Sequence, residues 1–215
     1  MAQKLTLEQR EVLVGILLGD ANLQTESNGR TYRLRVTQAE QNKEYLFALY
    51  ELFKPLVNTP PKLYTYSPDK RTNNISERWA FATTQHGCFR FYGKQFYVDG
   101  KKRVPLIIEK WLTPRSLAYW YMDDGAQKWK GRSLGVVLCT DGFGSDEVYK
   151  LAAILTTKYN LKTSVQVKGN GLRLYISTTS YSNLKRLIYP HLLPSMLYKF
   201  PVQVATTPSD EGAQV

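Results

Sequence analysis

The chain has 215 residues, 43% of them hydrophobic, and 29 Lys and Arg against 18 Asp and Glu give a net charge of +11. That length fits one large domain or two of about 100 residues, the apolar content excludes a disordered chain, and the positive excess favours a polyanionic partner, foremost nucleic acid. Two histidines (His86, His191) and two distant cysteines (Cys88, Cys139) exclude a disulfide framework, a structural zinc site and histidine-based hydrolysis.

Any bound cation is therefore expected on carboxylates, which select magnesium, calcium or manganese. No apolar run reaches the about 18 residues of a membrane span, and MAQKLTLEQR is not a secretory signal. The chain is expected to be soluble, in a reducing intracellular compartment and not on a membrane.

Thr6-Leu7-Glu8-Gln9 is a capping-box pattern that starts a helix through Val12, Leu13, Ile16 and Leu17. Gly15 and Gly19, one turn apart, allow a second backbone to come close. Asp20 stands seven residues after Leu13; two helical turns put both on one face, so an acid ends an apolar stripe. Residues 31–37, TYRLRVT, alternate as a half-buried strand with Arg33 and Arg35 on the polar side. Asn28-Gly29 marks a hairpin with residues 22–27, which adds Gln24 and Arg30 to the same basic region.

Residues 41–53 read as a helix. Lys62, Tyr64 and Tyr66 alternate outward on the next strand, and a basic tip over 68–74 carries Lys70, Arg71 and Asn73 before a return strand begins at Arg78. Helices are predicted over 89–98 and 105–112.

Thr113-Pro114 restarts the scheme, Thr113 as N-cap and Pro114 where its missing donor does no harm. In Ser116 to Gly125, SLAYWYMDDG, Asp124 follows Leu117 by seven residues, repeating the earlier spacing. Lys128, Lys130 and Arg132 follow. A strand is predicted over 134–140, a helix capped by Ser145 over 145–159, and a hairpin from 163–168 and 172–177. Its polar face holds Ser164, Gln166, Lys168, Arg173, Tyr175 and Ser177, and its core face Val165, Val167, Leu174 and Ile176. Helices over 181–193 and 194–200 close the pattern, and 204–215 is expected to be a disordered tail.

Helix, hairpin, helix, hairpin, helix thus occurs twice, with Asp20 and Asp124 separated by 104 positions. This is a duplication at domain scale, with repeats expected over 1–110 and 111–203. Side-by-side packing of the two acid-bearing helices would join both carboxylates at helix C-termini, where the dipole adds negative charge that a cation relieves. Basic sheets around that point suit metal-assisted hydrolysis of a phosphodiester.

Leu13 to Ala21, LVGILLGDA, together with SLAYWYMDDG, resembles the signature helices of LAGLIDADG homing endonucleases of the single-chain branch, over roughly residues 5 to 203. The resemblance implies an α/β (α+β) fold of two pseudo-symmetric αββαββα repeats forming a DNA-binding saddle. It implies a monomeric, magnesium-dependent endonuclease that makes a double-strand break at a long asymmetric site with short 3′ overhangs; manganese can substitute, and calcium binds without supporting cleavage. Asp20 and Asp124 match the family's metal-binding acids, with Asp123 as the adjacent alternative to Asp124, disfavoured because it points about 100° away. Gln38 and, by repeat alignment, Asp141 match polar positions that orient water or metal. Lys102 and Lys199 resemble the peripheral active-site lysines, with Lys101 or Arg103 as alternatives to the first.

Gly15 and Gly19 correspond to Tyr119 and Asp123, so the helix seam is not self-symmetric, a homodimer is disfavoured and Ala118 is expected to share the close packing. The termini, Met1 and Val215, lack intein self-splicing residues, which favours a free-standing or intron-encoded enzyme, organellar where the intron is. Double-stranded DNA is the expected partner. The rival readings are an intron-RNA-binding maturase on the same fold and a non-catalytic DNA-binding regulator.

Overall fold

A computed structural model describes residues 4–68, 73, 75–169 and 171–202. Lys70, Arg71 and the stretch read as a disordered tail lie outside the described residues. Helix α1 (Leu7–Leu18) starts at the capping box: Thr6 Oγ1 accepts from the Gln9 N–H at 3.1 Å, and Gln9 Oε1 from the Thr6 N–H at 3.0 Å. Every residue from Val12 to Leu18 is buried. A helix apolar on all sides belongs at the centre of a molecule.

The first layer continues with β1 (Asn22–Gln24) and β2 (Arg33–Ala39), antiparallel with Leu23 opposite Leu34. Asn28 and Gly29 both take positive φ, 52° and 79°, as the turn signal requires. The loop is longer than a two-residue turn because Thr25 and Ser27 hydroxyls accept from the amides of Gly29 and Thr31 at 3.0 and 2.9 Å. Helix α2 (Lys43–Phe53), β3 (Lys62–Tyr66) and β4 (Ser76–Ala82) complete the sheet.

The helix predicted over 89–98 stops early. After α3 (Arg90–Phe96) the chain turns through Asp99 and Gly100, both at positive φ, and pairs β5 (Tyr97–Val98) with β6 (Lys101–Lys102). A one-turn helix α4 (Ile108–Trp111) leads to α5 (Pro114–Asp124), whose N-cap Thr113 accepts from the Ser116 N–H at 3.2 Å.

The second layer repeats the first: β7 (Gly125–Gln127), β8 (Val136–Cys139), α6 (Ser145–Tyr159), β9 (Thr163–Lys168), β10 (Gly171–Ile176) and α7 (Tyr181–Ile188), then a 3₁₀ helix at Pro194–Lys199. The helix predicted over 181–193 ends at Ile188 because Pro190 cannot donate to a helical ladder. The N-cap of α6 is Gly144, not Ser145, and its N–H donates to Glu147 Oε2 at 2.7 Å.

The strand orders are β1-β2-β4-β3 and β7-β8-β10-β9, the same arrangement twice. In both, the last hairpin puts an edge strand outermost. Edge position explains two departures from the expected alternation: β3 is exposed on both faces, and Val167, expected in the core, is 79% exposed at the far end of β9.

Helices α1 and α5 meet at the centre. A Cβ on Gly15 would stand 2.4 Å from the Ser116 carbonyl oxygen and 2.7 Å from the Tyr119 Cβ, and one on Gly19 would stand 2.4 Å from the Asp123 Cβ. Ala118, expected to share this work, is buried, but the nearest atoms facing the two glycines belong to Ser116, Tyr119 and Asp123. At the N-terminal end the seam is closed by Arg115, 2.6 Å from Glu11 and 3.8 Å from Glu8.

Candidate active site

Both signature helices run out of apolar residues at an acid, so each delivers a carboxylate where its strand begins. Asp20 follows α1 just before β1, and Asp124 is the last residue of α5 before β7. Burial, then the charge of Asp20, pushes the Asp124 carboxyl up to about 7, while Lys102 and Lys199 pull it back. A like-charged, partly desolvated pair is what a divalent cation relieves.

Each lysine serves the helix of its own repeat. Lys102 Nζ donates to the carbonyls of Gly19 at 2.6 Å and Ala21 at 2.9 Å. Lys199 Nζ donates to those of Met122 and, at 2.8 Å, Asp123. These carbonyls have no partners within a helix, and a cation there also opposes the negative end of the dipole. Burial lowers the pKa of both lysines, and the nearby aspartates resist that shift.

Asp123 points away from Asp124, as the helical geometry predicts, and what it points at is α1. Its Oδ2 accepts from the Asp20 backbone N–H at 3.1 Å and its Oδ1 from Gln38 Nε2 at 3.2 Å. Burial first, then Asp20, raises its carboxyl well above the usual range. Gln38 Nε2 also donates to Asp20 Oδ2 at 3.1 Å. Gln38 reaches this place because it shares strand parity with the buried Leu34 and Val36.

Asp141 does not join this cluster. It lies just past β8, ion-paired with Arg173 at 2.9 Å. Strand register shows what does occupy the position equivalent to Gln38. Leu23 faces Leu34 and its counterpart Gln127 faces Val136, so Leu34 corresponds to Val136 and Gln38 to Thr140. Thr140 is buried, and its hydroxyl donates to the Leu172 carbonyl at 2.5 Å.

Cross-strand register also gathers the predicted DNA-facing residues. On the first sheet, Gln24 pairs with Arg33, Lys62 with Ala80, and Tyr64 with Arg78. Gln24, Arg33, Arg35, Lys62 and Tyr64 line one cavity of about 220 Å³, and Arg78 lies 5.7 Å over the Tyr66 ring. Gln24 accepts from Arg33 at 3.0 Å, and Glu26 lies 3.6 Å from the same arginine. On the second sheet, Ser164 pairs with Tyr175 and Gln166 with Arg173. Lys128 Nζ donates to Gln166 at 2.5 Å and sits 5.4 Å over the Tyr175 ring. Arg30, Asn73, Lys130, Arg132 and Lys168 are exposed on loops or strand ends.

Among the described residues, no three Asp, Glu, His or Cys side chains gather closely enough to enclose a metal. Two carboxylates instead fit a hard divalent cation that keeps waters and shares its coordination with substrate phosphates. A large apolar cleft of about 680 Å³, lined by Leu7, Phe91 and Trp111, lies at the other end of α1 and contains none of these acids or lysines.

Among the described residues, no helix is long and apolar enough to cross a membrane. Asp123, Asn42 and Tyr198 are site neighbours not singled out as site residues from sequence. Only Asp123 had a visible signal, the doubled acid, and the others depend on tertiary placement.

Comparison with known proteins gives the family and the fold. The DNA endonuclease I-ChuI of Chlamydomonas applanata is 37% identical over 208 residues, covering 91% of this chain and 95% of that protein. The cytochrome b mRNA maturase bI2 of Debaryomyces hansenii is 35% identical over 199 residues, covering 89% and 73%. The solved structure of the homing endonuclease I-WcaI bound to its DNA recognition sequence superposes with a TM-score of 0.88 at 30% identity, covering 94% of this chain and 89% of that one. The LAGLIDADG DNA endonuclease family profile matches residues 10–184, and the chain, whose two signature helices carry Asp20 and Asp124 at their C-terminal ends, belongs to that family.

Proposed function

We propose that the protein is a site-specific homing endonuclease that makes a double-strand break in a long asymmetric DNA target. The observation that carries this reading is the convergence of Asp20, Asp124, Lys102 and Lys199 at the joined helix ends between two basic sheet faces. Residues 1–110 and 111–203 are the two repeats, each serving one half of the target. Asp20 and Asp124 would hold divalent metal, magnesium in the working enzyme; when bound, it supplies charge stabilisation at the scissile phosphate and an activated water.

The residues of the chain supply the rest. Arg33, Arg35, Lys62, Arg78, Lys128 and Arg173 hold the DNA backbone and base edges. Lys102 and Lys199 fix the helix ends and keep positive charge beside the phosphate, where negative charge develops. Similarity to intron-encoded endonucleases supports a gene carried within an intron, organellar where such introns are.

Incubation with a randomised duplex library in magnesium and in calcium, followed by sequencing of fragment ends, tests this. One asymmetric site cut in magnesium only is expected; the double variant Asp20→Asn/Asp124→Asn should cut neither strand while retaining binding, each acid serving mainly one of the two cuts. The similarity to an mRNA maturase favours a second reading, intron-RNA binding on the same fold. Tight RNA binding in magnesium-free buffer, with no DNA cut under any condition, would replace the first reading with the second.

A further inference from the structure

Behind Asp20 a line of side-chain hydrogen bonds crosses from one repeat to the other. The Tyr198 hydroxyl donates to Asn42 Oδ1 at 3.0 Å, Asn42 Nδ2 donates to Gln38 Oε1 at 3.3 Å, and Gln38 Nε2 donates to Asp20 and Asp123. The direction of each link follows from the last. An ionised Asp20 only accepts, so Gln38 presents its NH₂ to it and its oxygen to Asn42. Asn42 then presents its NH₂ to Gln38, and its oxygen is left for the phenol. Reversing either amide would set oxygen against oxygen.

Asp124 has no such relay: the side chain that supports it is the Trp120 indole, on its own helix. Thr140, at the position equivalent to Gln38, spends its hydroxyl on a backbone carbonyl, and Asp141 turns to Arg173. Among the described residues no side-chain amide donates to Asp124.

We propose that Asn42 and Tyr198 are positioning residues for Asp20 alone, so that the two strand cuts of one reaction depend on them unequally. The relay fixes the Gln38 amide, and the amide fixes the carboxylate that would hold metal. A polar partner directly behind a ligating carboxylate, as Gln38 is here, typically changes affinity or activity by about 10- to 100-fold, and Asn42, one link further back, is assigned the lower end of that range. This inference rests on the endonuclease reading.

The test is cleavage of a supercoiled plasmid carrying the selected target, together with short duplexes labelled on either strand, by wild type, Asn42→Ala, Asn42→Asp and Tyr198→Phe. Asn42→Ala is expected to slow one strand about tenfold, leave the other within about twofold, and accumulate nicked circles, with DNA affinity and Tm unchanged. Asn42→Asp, which cannot donate to Gln38, should bias the same strand at least as strongly. Tyr198→Phe keeps the ring and its packing, and should bias that strand more weakly. Equal slowing of both strands, or no change in either, overturns the proposal while leaving the endonuclease reading in place. A wild-type protein that cuts neither strand overturns both.

Discussion

Gly19 and Asp123 occupy equivalent positions in the two signature helices and touch each other: a Cβ on Gly19 would lie 2.4 Å from both the Cβ and Oδ2 of Asp123. The Asp123 carboxyl cannot swing aside freely, since it accepts the Asp20 N–H and the Gln38 amide. Gly19→Ala is therefore expected to destabilise the protein by about 1–3 kcal/mol and to depress cleavage. Adding Asp123→Gly should recover part of the Tm loss, a coupling readable in a double-mutant cycle. A Gly19→Ala protein that melts with the wild type would refute the contact.

Lys102 and Lys199 each serve two backbone carbonyls as well as the reaction centre. Lys102→Met and Lys199→Met should lower stability by about 1–3 kcal/mol each, because buried carbonyls lose their donors, and should cut the cleavage rate at least about tenfold. Calorimetry of the free protein separates the two effects. An unchanged Tm would mean that the lysines act on the substrate alone.

The Arg115 clamp sits at the far end of the seam. Its side chain is 30% exposed and that of Glu11 18%, so solvent screens the pair. Arg115→Ala should cost about 1 kcal/mol and leave cleavage at saturating DNA and low temperature unaltered. Loss of cleavage in the folded variant would be incompatible with a purely structural clamp.

With a net charge of +11 and two basic sheet faces, DNA affinity should fall steeply with salt, by about 10³- to 10⁵-fold between about 50 and 200 mM for six to ten phosphate contacts. Lys62→Ala should flatten the log–log slope by about one. A nearly salt-independent affinity would argue against phosphate contacts on these faces.

Much of this was legible in the residues. The repeated apolar run ending in an acid located both signature helices, and the capping box at Thr6 and the Pro114 start located their first turns, because these are local devices. Side-chain parity recovered the basic faces. Tertiary placement was not legible: a helical wheel shows that Asp123 diverges from Asp124, but not that α1 lies in that direction. Gln38 and Asp141 looked equivalent by spacing, whereas backbone register matches Gln38 with Thr140, since counting along loops of unequal length does not preserve strand phase. Val167 was misread because alternation cannot tell that a strand end projects beyond the layer that would cover it.

The seam between α1 and α5 also constrains how such a chain can be taken apart. Where equivalent positions meet, Gly15 faces Tyr119 and Gly19 faces Asp123, a small residue always against a larger one. Two copies of the first repeat would leave a void along the seam, and two copies of the second would collide there. Half-molecules expressed separately should therefore assemble only as mixed pairs, and recombination between relatives that exchanges one repeat must bring matching seam residues or lose the joint that holds both acids.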